Sequence, residues 1–447
     1  MRLWTSPPSS WPMSACPLAA CRALTEKRAI PMPGAADCYP DTLLSVDQAR
    51  ERLLRAVAPV AGIEAVALDA ADGRVLARDV VAALSLPPFA QAAMDGYALD
   101  HRDVAGAAAP VRLPLSGRVA AGDAPRPLVP GTAVRIFTGA PLPDGADTVL
   151  MQEDADLDGD VLLVPPGLAP GRHCRAVGED IAAGAVALPA GRRMSPAAVA
   201  LAAALGERTL AVRAPLTVAL LSTGNEVRPA GTPLAPGAIH DANGPLLTAL
   251  LRRLGCRVVP AGIVGDDREV LSATLSSLRA DLIVSSGGVS AGEEDHVKTA
   301  VAALGGIDFW RLALKPGKPL AFGHIKGGHV GNTPFLGLPG NPFAAFAAFL
   351  ALGRPLVQRL SGETIADPPR ITVRCGFAHG RAPGKREYLR VVLRQEGDDT
   401  VAHLAGAGGS AALSSLALAD AVAEVEEACD SLRPGDPLTV IPLQGLF

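Results

Sequence analysis

The sequence predicts a multidomain protein of the α/β-plus-β class: one doubly wound α/β domain, a mostly β domain before it, a linker of helix and strand, and a small β domain at the C-terminus. Three observations carry this. At 447 residues the chain exceeds one compact domain. Gly (47) and Pro (40) make up about a fifth of it, against a usual ~12%, which favours turns and short strands over a helical bundle. Only the stretch after Pro215 alternates strand-like and helix-like runs; the flanking stretches read as short strands.

The elements follow in order. Ser45-Val46-Asp47-Gln48 has the form of a capping box, and Val46, Ala49, Leu53, Leu54 and Val57 recur at helical spacing, so order is expected from about Leu43. Two short strand-like runs flank Asp72-Gly73, a hairpin turn signal. From Leu84 to about Glu179, apolar runs such as Val111 to Leu115, Val134 to Phe137 and Val161 to Val164 are cut by Gly, Pro and Asp, as in a β domain. Ser195 as N-cap and Pro196 at the first helical position open an Ala/Leu helix that ends near Gly206. Then come a buried strand over Leu216 to Leu221, a helix over Pro245 to Leu254 closed by Gly255, and a strand over Val258 to Val264. A helix over Glu269 to Leu278, a strand over Asp281 to Ser285, a helix from Val297, a strand near Phe335 to Leu338 and a helix from Pro342 complete the series. Such alternation predicts a parallel sheet with helices on both faces. Past Pro368, strands are expected over Ile371 to Cys375, Glu387 to Leu393, Val401 to Leu404 and Leu438 to Leu443.

Composition excludes several classes. Forty-one basic against 45 acidic residues gives a net charge of −4, so no global positive field invites nucleic acid. An apolar content of 49% is well outside the disordered class. The longest uncharged stretch, Gly327 to Gly353, is broken at Leu338-Pro339-Gly340-Asn341-Pro342, leaving Pro342 to Gly353 as an apolar helix too short to span a bilayer. No membrane association is expected. Seven scattered cysteines without a CxxC pair fit a reducing, cytoplasmic setting. Residues 1–40, rich in Pro, Ser, Ala and Cys without a continuous apolar core, read as a disordered extension rather than a signal peptide, with Met32 as an alternative start.

In open parallel sheets, ligands bind beyond the carboxyl ends of the strands. Those ends read Ser222-Thr223-Gly224-Asn225-Glu226, Gly265-Asp266-Asp267, Ser285-Ser286-Gly287-Gly288-Val289-Ser290-Ala291-Gly292 followed by Glu293-Glu294-Asp295, and Leu338-Pro339-Gly340-Asn341-Pro342. Glycine-rich turns let backbone N–H groups face an anion, while Glu226, Asp266 and Asp295 on the same rim suit a hard cation such as Mg²⁺. A single such turn is often only a tight turn, and a lone carboxylate is usually solvated; four strand ends of one sheet together make the stronger case. Only six lysines occur, and Lys298, Lys315, Lys318 and Lys326 lie within 29 residues. In a chain that otherwise favours Arg, Lys315-Pro316-Gly317-Lys318-Pro319 points to compact counter-charges for phosphate. Gly288-Val289-Ser290-Ala291-Gly292 also matches the G-x-S-x-G nucleophile elbow, with Asp295 and a later histidine in hydrolase order. The elbow needs the strand to run directly into its first glycine, whereas here the apolar run stops at about Ser285. The eight histidines are isolated, with no pair at i, i+4 to support a zinc site on a helix.

Met94-Asp95-Gly96-Tyr97-Ala98, Arg135-Ile136-Phe137-Thr138-Gly139-Ala140-Pro141 and Gly178-Glu179-Asp180-Ile181 precede the strand-end motifs quoted above and the Lys315–Pro319 loop. In that order, over residues 41 to 447, the set resembles the molybdopterin molybdenumtransferases, the MoeA family, which includes the E domain of gephyrin. The resemblance implies four domains: a discontinuous elongated linker domain (41–82 and 180–213), a mostly β inserted domain (83–179), an α/β domain of molybdopterin-binding type (214–361) and a C-terminal β domain (362–447). It further implies a homodimer with its active site between subunits, and Mg²⁺-dependent insertion of molybdate into adenylated molybdopterin with release of AMP, in transient contact with other proteins of molybdenum cofactor biosynthesis. Catalytic roles are then expected for Asp95, Thr138, Asp180, Glu226, Asp266, Asp295 and Lys315. Substrate contacts are expected from Ser222, Thr223, Gly224, Ser286, Gly287, Gly288, Ser290, Arg311, Lys318, Pro339, Gly340, Asn341, Pro342, Arg386 and Ser414, and Mg²⁺ contacts from Glu226, Asp266 and Asp295. Departures are Arg311 where some relatives carry Lys, Phe343-Ala344 where many carry Val-Ser, and Ala421 where Gly is common. Two alternatives stay open at this point: the preceding adenylylation of molybdopterin, and a scaffold or carrier role.

Overall fold

The structure is a computed structural model that describes residues 43–289, 296–328, 331–406, 409 and 411–446. The expected N-terminal extension, Ser290 and Asp295 lie outside the described residues. The first helix, Val46–Ala56, starts at the expected capping box: the Ser45 hydroxyl accepts from the Gln48 amide at 3.2 Å, and Gln48 Oε1 accepts from the Ser45 amide at 3.1 Å. Its buried stripe is Val46, Ala49 and Leu53. Asp72-Gly73 does form a turn, but not the expected hairpin. Strand Ile63–Ala67 pairs antiparallel with the distant strand Thr209–Arg213, and past the turn Val75 bridges to Arg193. Ser195 caps the helix Pro196–Ala204 as expected, accepting from the Ala198 amide.

Residues 96–164 form a six-stranded sheet in the order Thr148–Met151, Gly96–Leu99, Ala133–Ile136, Val111–Val119, Val161–Val164, Asp156–Asp158. One of its clusters centres on Leu99, Leu113, Leu150 and Leu162, the other on Ala98, Val134, Ile136 and Val149, as alternation along strands requires. Gly96 is needed where it stands, because a Cβ there would collide with the Leu150 carbonyl oxygen.

The central sheet runs Arg257–Val264, Thr217–Thr223, Leu282–Ser286, Gly331–Leu338, Pro319–Gly328, Gly305–Arg311. The first four strands are parallel, but Pro319–Gly328 pairs antiparallel with both of its neighbours, so the sheet is mixed rather than wholly parallel as expected. Residue alternation still sorts its faces. Val218, Leu220, Leu282 and Val284 pack with Leu247 and Leu251 of the helix Asn243–Arg253, whereas Ala219, Leu221 and Ile283 pack with Leu271 and Leu275 of Arg268–Ser277 and Val297 and Val301 of His296–Leu304. Truncating fully buried Leu221 to Ala would cost about 2–5 kcal/mol.

The helix after Pro342 does not stop at Gly353. It passes through a π-helical turn, Phe349–Gly353, and continues to Leu360; the change of hydrogen-bond spacing just before Pro355 lets the helix run past a residue that has no N–H to give. The result, Pro342–Leu360, is 19 residues long, long and apolar enough to cross a membrane by length and composition, yet 89% buried within the protein. Beyond it, Arg386–Glu396, Asp399–Leu404, Ile371–Cys375, Pro437–Pro442 and Ala421–Val425 pair in that order, and Ala421–Val425 pairs back onto Arg386–Glu396. This closes a barrel and removes free edges. The sequence reading missed Ala421–Val425, whose alanines carry little strand signal. Leu314–Lys315 adds to the barrel as a short parallel strand beside Arg386 and Glu387.

Candidate active site

The carboxyl ends of the parallel strands meet around a cavity of about 550 Å³. Ser222, Thr223, Gly224, Glu226, Asp266, Ser286, Gly287, Gly288, Pro339, Gly340, Asn341 and Pro342 all line it. Ser222, Thr223 and Ser286 are buried, and their hydroxyls serve the wall itself. Ser222 Oγ donates to Asp241 Oδ2 (2.7 Å), Thr223 Oγ1 to the Ser286 carbonyl (3.3 Å) and Ser286 Oγ to the Pro339 carbonyl (3.3 Å). Gly287 sits at φ +95° and its amide donates to the Leu338 carbonyl. A Cβ there would lie 2.6 Å from the Thr223 carbonyl oxygen, so only glycine lets the turns approach. Asn341 occupies the N-cap position of the long helix, with Pro342 at its first turn.

Asp241 and Asn243 are among the wall residues that escaped the sequence reading. Asp241 accepts from Ser222 and from the Gly244 amide at 2.9 Å; Asn243 donates from Nδ2 to Ser286 Oγ and to the Gly340 carbonyl, both at 2.7 Å. Asn243 thereby ties two of the strand-end loops together. The signal was present in His240-Asp241-Ala242-Asn243, a cluster of helix-start residues just before the expected helix.

The acids and bases fall into distinct groups. Glu226 and Asp266 share the cavity wall, and Asp266 Oδ2 accepts the Asn225 amide at 2.9 Å. Among the described residues no group of three or more His, Cys, Asp or Glu could hold a metal. Two carboxylates on one wall nevertheless fit Mg²⁺, which takes one or two carboxylates and completes its shell with water and substrate phosphate. Arg311 ends the edge strand, and burial together with the Arg311 charge holds Lys298 below the ordinary lysine range. Lys318 is exposed beside Pro319, a cavity residue. Lys315 is turned toward the barrel, its Nζ 2.8 Å from Glu387 Oε1.

Asp95, Thr138 and Asp180 stand outside this cavity wall. Asp95 Oδ1 accepts from both the amide and the hydroxyl of Thr138 at 2.7 Å, and these two bonds hold the Asp95 carboxyl below the usual carboxylate range. Asp180 is exposed, its amide donating to the Leu86 carbonyl. In the barrel, Arg386 is engaged by Asp47 (2.7 Å), Glu427 (3.3 Å) and Glu424 (3.7 Å), which fastens the first helix to the barrel. Ser414 is exposed; its neighbour Ser415 is buried and receives Arg390 Nη1 at 2.6 Å. Arg390 also lies 4.4 Å from the Phe343 ring centroid and donates to the Ala412 carbonyl, next to Ala411 on the cavity rim.

Comparison with known proteins agrees with this layout. Residues 44–206 match the family description "MoeA N-terminal region (domain I and II)", residues 219–359 "Probable molybdopterin binding domain" and residues 372–443 "MoeA C-terminal region (domain IV)". The chain is 32% identical to a molybdopterin molybdenumtransferase of Haemophilus influenzae, over 91% of this chain and 100% of that one. It is 37% identical to molybdopterin molybdenumtransferase 2 of Mycobacterium tuberculosis, over 87% and 96%. Two solved structures of the molybdopterin biosynthesis MoeA protein of Pyrococcus horikoshii superpose with TM-scores of 0.76 and 0.70 at 26% and 32% identity, each over 90% of this chain and 100% of the other.

Proposed function

Because this chain belongs to the MoeA family of molybdopterin molybdenumtransferases, we propose that it inserts molybdate into adenylated molybdopterin, with release of AMP, as a Mg²⁺-dependent cytoplasmic homodimer. The observation that carries this reading is the cavity itself, where glycine turns, Glu226 and Asp266 face one space at the carboxyl ends of parallel strands. Mg²⁺ would be held by Glu226 and Asp266, with Asp295 as a further donor, and would neutralise phosphoanhydride charge. Ser222, Thr223, Gly224, Ser286, Gly287 and Gly288 form the strand-end wall against which the substrate's anionic groups would lie, with Ser290 as a further contact, while Pro339, Gly340, Asn341 and Pro342 shape the adjoining rim. Arg311, Lys315 and Lys318 supply positive charge for phosphate and molybdate. The metal is delivered to sulfurs of the substrate, so this chain needs no cysteine ligands.

Asp95, Thr138 and Asp180 act in the same reaction, and their position off the cavity wall supports a site completed by a second copy. Arg386 and Ser414 contribute through the barrel side of the cleft. We assign 41–82 and 180–213 to one linker domain interrupted by 83–179, followed by domains 214–361 and 362–447; pairing of Ile63–Ala67 with Thr209–Arg213 supports the discontinuity. The test is AMP release from adenylated molybdopterin, with and without molybdate and Mg²⁺. Release that requires both is expected. Retention of the adenylated pterin without release would replace the enzyme with a carrier.

A further inference from the structure

Glu387 is a buried carboxylate between the barrel and the loop that carries Lys315. Its two oxygens are divided. Oε2 faces His379 Nε2 and Arg381 Nε, each at 3.2 Å, while Oε1 faces Lys315 Nζ at 2.8 Å. Arg381 is itself fixed by the carbonyls of Lys385, Val425 and Glu426, so the Oε2 side is clamped from the barrel. Backbone register reinforces this: Lys315 pairs with Glu387 and Leu314 with Arg386, and the Arg386 amide donates to the Ala313 carbonyl at 2.9 Å. The Lys315 side chain nevertheless remains 56% exposed, against 3% for Glu387. An ammonium anchored at one end of a buried carboxylate and still open to solvent is placed, not sequestered.

We propose that Glu387 is a positioning residue, which holds the Lys315 ammonium, in the loop that leads to the cavity residue Pro319, for an anionic oxygen of the substrate, with His379 and Arg381 fixing the carboxylate from behind. The barrel thus takes part in the reaction through Lys315. This inference rests on the transferase reading given above.

The test is a double-mutant cycle on AMP release in the full-length protein, with Lys315→Met, Glu387→Gln and the pair together. Glu387→Gln should lower kcat by about tenfold with little change in KM, and should have no further effect once Lys315 is Met. Multiplying effects in the double variant, or an unchanged kcat in either single one, would overturn the proposal while the molybdate-dependent AMP release of the unmodified chain still upheld the function. Should Glu387→Gln not fold, Glu387→Asp, which keeps the charge but shortens its reach, is expected to show a partial loss confined to kcat.

A second readout needs no activity. With only six lysines in the chain, trace acetylation by acetic anhydride followed by mass spectrometry resolves each one. Lys315 should react more slowly than its neighbour Lys318, and reach the Lys318 rate in the Glu387 variant. Equal rates in the unmodified protein would refute the anchoring, even if AMP release failed altogether.

Discussion

The cavity wall and the Asp95–Thr138 pair are built on opposite plans. Along the wall, Ser222, Thr223 and Ser286 are buried and each hydroxyl is bound to another part of the protein, with Asn243 joining two loops across the top. Asp95 is held through one oxygen by one residue, and Thr138 lies exposed at the surface. The wall is preorganised by its own hydrogen bonds, whereas the Asp95 pair is a surface feature whose proposed role depends on a second copy covering it. Preorganisation of this kind makes a site rigid before substrate arrives.

The largest effect is expected where the wall meets charge. Asp266→Ala should lower AMP release by about a thousandfold, the several kcal/mol that a cation site contributes, and added Mg²⁺ should not restore it. Asp95→Ala should do comparable damage from the other region. If a second copy brings the two together, mixing the inactive Asp95→Ala and Asp266→Ala proteins should recover about a quarter of full activity, since half the dimers would each carry one intact site. No recovery in that mixing assay would place both regions on the same copy. A milder perturbation separates them further. Asn243→Ala leaves Ser286 and the Gly340 carbonyl without their donor and should cost about 1–3 kcal/mol of stability, seen as a lower midpoint in chemical denaturation. Thr138→Ala removes the hydroxyl bond to Asp95 but keeps the amide bond, so it should slow turnover and leave the unfolding free energy within about 0.5 kcal/mol.

Acid sensitivity supplies the smallest contrast. Burial pushes the Glu387 carboxyl up, but hydrogen bonds and charge from Lys315 and His379 outweigh it and leave the group below its ordinary range. Asp47 is likewise lowered, chiefly by its hydrogen bond to Arg386. A depressed carboxylate stabilises the fold above its unfolded-state pKa of about 4, and that contribution is lost as the pH falls from there through the folded-state value. Thermal midpoints should therefore drop below about pH 4, and Glu387→Gln should flatten that acid limb. A limb of unchanged steepness in the variant would remove Glu387 from the account.

Much of the wall was legible because strand ends in an α/β series announce themselves. The apolar runs stop at Ser-Thr-Gly or Ser-Gly-Gly, and the local pattern and the fold agree. What was missed had a non-local cause. Asp72-Gly73 is a true turn, yet its flanking segments find partners more than a hundred residues away. Gly305–Arg311 and Pro319–Gly328 carry glycines and a proline that read as loop, and only their pairing beside Gly331–Leu338 makes them strands. Gly353-Arg354-Pro355 looked like a helix end until a π turn absorbed it. Glu387 is invisible in sequence because its meaning lies in Lys315, His379 and Arg381, which the barrel gathers around it.

The 19-residue helix Pro342–Leu360 has a consequence for how the chain is made. It packs in one core with Val46, Ala49 and Leu53, and also with Leu416, Val422, Ile441 and Leu446, which leave the ribosome well after it. Until those later residues emerge, this apolar segment waits without part of its cover. A chain arrested between residues 360 and 416 would present that helix to whatever is nearby, and chaperone demand should peak in that interval of synthesis.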